Sequence, residues 1–330
     1  MPGEIKRADA VFEGGGVKGI GLVGAVAVTE EKGYRFENVA GTSAGAIVAA
    51  LIAAGYKAGK LKEIIEGLDY NDFKDKGMLD KIPIIGFALS LGFEKGIYEG
   101  DFFEKWLREL LLKASPPVRT FKDLRTGEQD PRYRYKLQVI AADVTRGMML
   151  VLPRDIEDYG IEPDDLDVAL AVRMSMSIPF FFEPVILKDK HGLDCYIVDG
   201  GVLSNFPVWL FDDKTADPPW PTFGYKLVEP DSGKPNRING PITLFAALFN
   251  TMMDAHDARY IEDADFVRTI PIPTLGVRTT EFDLSRKRSD NLYQSGRGAA
   301  EKFFEHWDFA NYKKEYREKE AMGRRARVSA

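Results

Sequence analysis

The sequence predicts a three-layer α/β/α protein with a mostly parallel central sheet. Three observations carry that expectation. Short apolar runs alternate with segments of helical period from the N-terminus on. Two consecutive strand-to-helix units each turn through a glycine-bearing loop. Later runs, Tyr135–Val144 and the strand within Leu193–Gly201, are apolar enough for strands covered on both faces. The 330 residues suffice for one large core, and a single domain over 1–330 is expected, with its motifs within about 8–210 and a helical extension over about 241–330.

Ala8–Phe12 reads as the first strand, followed by a helix with Ile20, Val23, Val26 and Ala27 on one face, ending at Gly33. Phe36–Ala40 approaches as a second strand. Gly41-Thr42-Ser43 then turns into a helix carrying Ile47, Val48, Leu51 and Ile52, closed by Gly55. Asp101 and Glu104 have capping-box spacing ahead of Phe103, Trp106, Leu107, Leu110 and Leu111, which marks an amphipathic helix. Tyr135–Val144 is a buried strand, Met148–Pro153 its hairpin partner, and a further strand runs out at Asp199. Asp212–Pro241 is rich in Pro, Asp and Gly and reads as loops around one strand, Thr222–Val228. Helices are expected near Thr243–Tyr260 and Asp290–Trp307, the second burying Leu292, Ala299, Phe303 and Trp307. The basic tail from Lys313 reads as a frayed, solvated helix.

Composition narrows the function classes. A net charge of -6 argues against general nucleic-acid binding. The single cysteine, Cys195, has no intrachain partner, and the N-terminal apolar positions are broken by glycines, Glu13 and Lys18, so a cytoplasmic setting without a secretory leader is expected. Ala44–Ala54 and Ile82–Phe93 are both far short of the roughly 20 residues that span a bilayer. The acidic run Arg154–Asp167 lacks calcium-loop spacing, and no metal or cofactor is expected.

Gly41-Thr42-Ser43-Ala44-Gly45 fits G-x-S-x-G, in which a serine sits on a sharp strand-to-helix turn. Upstream, Gly14-Gly15-Gly16-Val17-Lys18-Gly19 can aim successive backbone N–H groups at one point, as either a phosphate cradle or an oxyanion hole requires. The same letters satisfy G-x-G-x-x-G, and Glu37 stands roughly where a dinucleotide fold would place its ribose carboxylate. That rival has no use for a serine elbow at the end of the next strand. Asp199-Gly200-Gly201 ends a later strand, so three motifs converge on strand ends of one sheet. Of the histidines, His191 falls in a polar turn, while His256 and His306 fall within expected helices. A Ser-Asp-His triad would need one of the latter two beside Ser43; if none serves, the base is a carboxylate, and Asp199 is the candidate.

These residues resemble the patatin-like phospholipases: GGGVKG, GTSAG and DGG stand in the family's order, with AADVTRG and MSMSIPFFFEPV as further matching blocks over roughly residues 8–210. Lys18 stands where the family often has arginine. The resemblance implies a lipid acyl hydrolase working through a Ser43–Asp199 dyad and an acyl-serine intermediate. It also implies an oxyanion hole from the N–H groups of Gly14, Gly15 and Gly16, to which elbow geometry adds Ala44. Lys18, Gly19, Gly41, Gly45, Gly200 and Gly201 support those motifs. The implied partner is a phospholipid or other acyl lipid. Ile82–Phe93 and Ile178–Pro184 are the candidate walls or lids of an acyl groove, the first with Lys81 and Lys95 flanks suited to a peripheral membrane contact.

Overall fold

The computed structural model describes residues 5–317 apart from 68–99, 180, 213–216, 230–237, 241–243, 245–246, 249–250, 253–262, 280 and 282–283. The proposed groove segment Ile82–Phe93, His256, and most of the expected Thr243–Tyr260 helix lie outside the described residues.

A sheet of β1 (Lys6–Phe12), β2 (Tyr34–Thr42), β3 (Leu137–Asp143), β4 (Met148–Leu152), β5 (Val185–Lys188), β6 (Asp194–Asp199), β7 (Thr222–Val228) and β8 (Thr269–Pro273) is ordered β5-β6-β3-β2-β1-β7-β8, with β4 also on β3. The pairs β3-β2, β2-β1, β1-β7 and β7-β8 are parallel. β4, β5 and β6 join antiparallel, so the sheet is mixed and its parallel half carries the glycine loop and the serine turn. β8 corrects the expectation of a purely helical extension after residue 241. Its TIPIP sequence hides a strand because proline removes ladder donors, a loss an edge strand tolerates.

The helices α1 (Gly19–Glu31), α2 (Ala44–Ala53), α3 (Ala58–Glu66), α4 (Asp101–Leu112), α5 (Val168–Ser175) and α6 (Arg286–His306) flank this sheet. α1 and α2 are buried along nearly their whole length, which explains why their sequences show little polar face. α4 is amphipathic as expected, but its N-cap is Gly100 at φ 77, so Asp101 and Glu104 form no capping box. They lie in the first turn, where they favour the helix dipole, and Glu104 pairs with Arg108. α6 lays aromatic rings on the sheet: Phe303 and Trp307 stand with centroids 5.7 and 5.2 Å from Phe223, and Phe304 5.5 Å from Tyr34. Among the described residues no helix is long and apolar enough to cross a membrane.

One consequence of the mixed sheet positions the site. β3 takes Thr42 of β2 opposite Ile140 and Asp199 of β6 opposite Ala141. The C-terminal ends of a parallel and an antiparallel neighbour therefore arrive at adjacent rungs. The glycine loop leaves the end of β1, itself hydrogen-bonded to β2.

Candidate active site

β2 ends at Thr42 and α2 begins at Ala44; between them Ser43 holds φ 55 and ψ -128, a conformation uncommon for a non-glycine residue. The turn is this tight because α2 lies almost on the β1 backbone. A Cβ on Gly45 would stand 2.3 Å from the Phe12 carbonyl oxygen and 2.6 Å from that of Glu13. Strain at a serine has to be held by its surroundings. Ser175, buried at the end of α5, does so: its Oγ accepts the Ser43 N–H at 2.8 Å and donates to the Ile140 carbonyl at 2.5 Å.

Two residues on, the Ser177 carbonyl accepts the Asp199 N–H at 2.9 Å. Ser175-Met176-Ser177 is thus a clip with one hydrogen bond to each of the two strand ends. Arg173 locks it from behind, donating to Ser177 Oγ at 2.5 Å and to the Glu183 carbonyl at 3.0 Å. In the sequence this stretch stands out only as a block resembling the family, and its work depends on partners distant along the chain. The signal is a serine at a helix end and another two residues on, where a hydroxyl or a carbonyl can serve a neighbouring strand. Ser175→Ala orphans the buried Ser43 N–H, and we expect a loss of about 1–3 kcal/mol in unfolding free energy. The check is a lower denaturant midpoint at an unchanged slope.

Asp199 is fully buried. Its Oδ1 accepts the Gly201 N–H at 2.8 Å, while Oδ2 has no hydrogen-bond partner among the described residues. Burial pushes the carboxyl up to about 7, opposed by the Ser43 hydroxyl and the Gly201 N–H. Ser43 Oγ, near enough to temper that rise, is turned toward Met176 Sδ at 3.7 Å, a soft contact that does not commit the hydroxyl.

The glycine loop has its own accounting of donors. Gly14 N–H goes to the Asn205 carbonyl at 3.3 Å, Val17 N–H to Thr279 O at 3.2 Å and Lys18 N–H to Gly15 O at 3.2 Å. The N–H groups of Gly15, Gly16 and Ala44 have no acceptor among the described residues, so these three are the available donors. Asn205 brackets Gly14 from both sides, its Nδ2 donating to the Gly14 carbonyl at 3.3 Å. Lys18 turns away from this point and pairs with Glu229 at 3.2 Å, which makes it a fastener of the loop. Gly19 starts α1, Gly41 packs on Gly45, and Gly200 and Gly201 form the turn that hands its N–H to Asp199.

An apolar pocket opens beside the serine, walled by Val17, Ala44, Ile47, Trp106, Met176 and Phe182. Of the expected groove segment Ile178–Pro184, Ile178 and Phe182 line it. Among the described residues of the wall Arg173 is the one charged group, and it donates to Ser177 and to the Glu183 carbonyl. Among the described residues, those of the rival site readings stand apart from this site. Glu37 sits in the N-terminal half of β2 near Asp9 and Lys136, away from the glycine loop. His191 occupies an exposed turn and His306 the exposed C-terminal end of α6.

An apolar pocket lined by Gly16 of the glycine loop and by Ala44, next to a serine at a strand-to-helix elbow, is the arrangement of an acyl-ester hydrolase of the α/β class. The chain belongs to the patatin-like phospholipase family, whose sequence model matches residues 10–212. It is 43% identical over 303 residues to the uncharacterized protein YqhO of Bacillus subtilis (strain 168), covering 91% of this chain and 99% of that one. A probable lipid hydrolase, 463L, of invertebrate iridescent virus 6 is 28% identical over 201 residues, 60% of this chain and 61% of the viral protein. The crystal structure of VipD from Legionella pneumophila has the same fold, with a TM-score of 0.54 at 19% identity over 92% of this chain and 67% of VipD.

Proposed function

We propose that this protein hydrolyses carboxylic esters of phospholipids or related acyl lipids through a Ser43–Asp199 dyad and an acyl-Ser43 intermediate. The observation that carries the reading is Asp199 itself: a buried carboxylate with one unengaged oxygen, raised to about 7, at the strand end beside a strained serine. A base of that strength is far better matched to neutral pH than an ordinary carboxylate. Ser43 Oγ attacks the acyl carbonyl as Asp199 Oδ2 takes its proton. The oxyanion gathers the N–H groups of Gly15, Gly16 and Ala44, with Gly14 shaping the loop through Asn205. Collapse of the tetrahedral intermediate breaks the ester C–O bond, and Asp199 returns the proton to the leaving alkoxide. Asp199 then deprotonates water, which attacks the acyl-serine; as the Oγ–acyl bond breaks Asp199 returns that proton to Ser43 Oγ, freeing the fatty acid and restoring both residues. The apolar pocket receives the acyl chain.

A fluorophosphonate probe together with a soluble short-chain ester tests this. Labelling and turnover are expected in the unaltered protein, to be absent in Ser43→Ala, and to persist in His306→Ala and His256→Ala. Labelling that survives Ser43→Ala removes the proposed nucleophile, and loss in a histidine variant restores the triad.

A further inference from the structure

Leu275 is the one described non-glycine residue besides Ser43 with positive φ, at 55. It is followed by Gly276 at φ 74, and the Val277 N–H closes the turn on the Thr274 carbonyl at 3.0 Å. Turns with two positive φ values favour Asn or Gly at the first central position, because a branched L-side chain is strained there. Burial does not explain the leucine, which is 50% exposed. Beside it Val228 is also exposed, its carbonyl accepting the Thr274 N–H.

The next stretch breaks a second local rule. Arg286, Lys287 and Arg288 open α6 with no acidic residue in the first turn, where the helix dipole disfavours cations. Glu281 accepts the Arg278 N–H and pairs with Arg288, which draws the turn against the start of α6. Arg278, Arg286 and Lys287 are exposed and have no ion-pair partner among the described residues. A strained, exposed leucine, and cations at the start of α6 that have no ion-pair partner among the described residues, are two local conflicts of the kind that mark functional sites. This basic patch is local, for the chain carries a net charge of -6.

The location supplies the occupant. Thr279, at the base of the same loop, accepts the Val17 N–H, and Val17 walls the apolar pocket. Thr279 thus ties this segment to the pocket wall, and exposed cations beside an exposed leucine match the chemistry of an anionic lipid surface. We infer that Leu275 and the cations flanking it, Arg278, Arg286 and Lys287, dock this protein on an anionic lipid surface, the leucine entering the acyl layer while the cations meet the headgroups. The inference rests on the proposed lipid substrate and adds to it the surface on which that substrate is met.

Co-sedimentation tests it with Ser43→Ala protein, so that hydrolysis does not alter the vesicles. This protein should pellet with phosphatidylcholine vesicles containing phosphatidylglycerol, more weakly with phosphatidylcholine alone, and less as salt rises. Adding Leu275→Asn, or Arg278→Glu with Arg286→Glu and Lys287→Glu, should weaken partitioning by about tenfold or more in each case. Asparagine suits a positive φ, so Leu275→Asn should melt no lower than its parent, an outcome a structural role for the leucine would reverse. Failure of the parent to pellet, or pelleting unchanged by both sets of substitutions, overturns the inference. Turnover of a soluble short-chain ester by the unaltered protein reads the proposed function separately, since that substrate needs no surface.

Discussion

Asp199→Asn should lower ester turnover by about 10²–10⁴-fold and, at alkaline pH, raise the melting temperature of the protein. The two effects have one cause. Asp199 is buried with Oδ2 unengaged, and burial lifts its carboxyl to about 7. The folded state therefore binds a proton that the unfolded chain releases near pH 4. A raised carboxyl contributes its full stability below the unfolded pKa and loses it as pH climbs through the folded value. From about 4 to about 7 the gap amounts to on the order of 4 kcal/mol. Asparagine carries no charge at any pH and escapes that loss, so the variant and the parent should melt alike near pH 4, diverge as pH rises from about 4 to about 7, and keep a constant gap above that, with the variant higher. Asp9 is raised to about 7 by burial as well, tempered by its bonds from Asn38. Both proteins keep Asp9, so both weaken as pH rises from about 4 to about 7, and only the difference between them reports Asp199.

Activity should run the other way. The base works deprotonated, so kcat/KM on a soluble ester rises with pH and reaches half its plateau near 7. The site is thus least stable where it is most active, the usual relation between a reactive group and its fold. An Asp199→Asn variant that melts lower than the parent at alkaline pH, or that keeps the parent's rate, contradicts the assignment.

The sequence displayed the parts that obey local rules. Glycine spacing around Ser43 and at Gly14–Gly19 announces sharp turns, with backbone closest to an added side chain at Gly16, Gly41 and Gly45, and alternating apolar runs announce the layers. It concealed what long-range pairing decides. Nothing in YIVDGG says that β6 enters antiparallel, yet that direction brings Asp199 to the rung of β3 next to the one held by Thr42. Ser175 was silent for the same reason, since a hydroxyl's partners 132 and 35 residues away leave no mark on its neighbours. The amphipathic pattern of α4 was legible and its cap was not, because Gly100 is placed by close contact with Arg173. β8 was missed because two prolines mask a strand that only an edge position permits.

Gly16→Ala should cost about 10²–10³ in kcat with KM for a soluble ester unchanged. Gly16 lies at φ 55, where an alanine is strained by about 1–2 kcal/mol. Its Cβ would also stand 2.1 Å from the Thr279 carbonyl oxygen and 2.9 Å from Thr279 Cγ2. That carbonyl cannot simply swing aside, for it accepts the Val17 N–H. Relief must come from the loop, and any shift carries the free N–H groups of Gly15 and Gly16 away from Ser43. Gly15→Ala is the informative contrast. There the Cβ would meet Leu227 Cδ1 at 2.1 Å, the tip of a side chain that can rotate. The fold should therefore tolerate alanine at 15 better than at 16, and the melting temperature should fall further for Gly16→Ala. Rates on a short-chain ester, taken beside melting curves, separate lost donors from lost folding. Wild-type kcat in a folded Gly16→Ala protein shows that this loop does not hold the oxyanion. A loss confined to kcat ties the C-terminal loop bearing Thr279, which lies beyond the matched residues 10–212, to the geometry of catalysis.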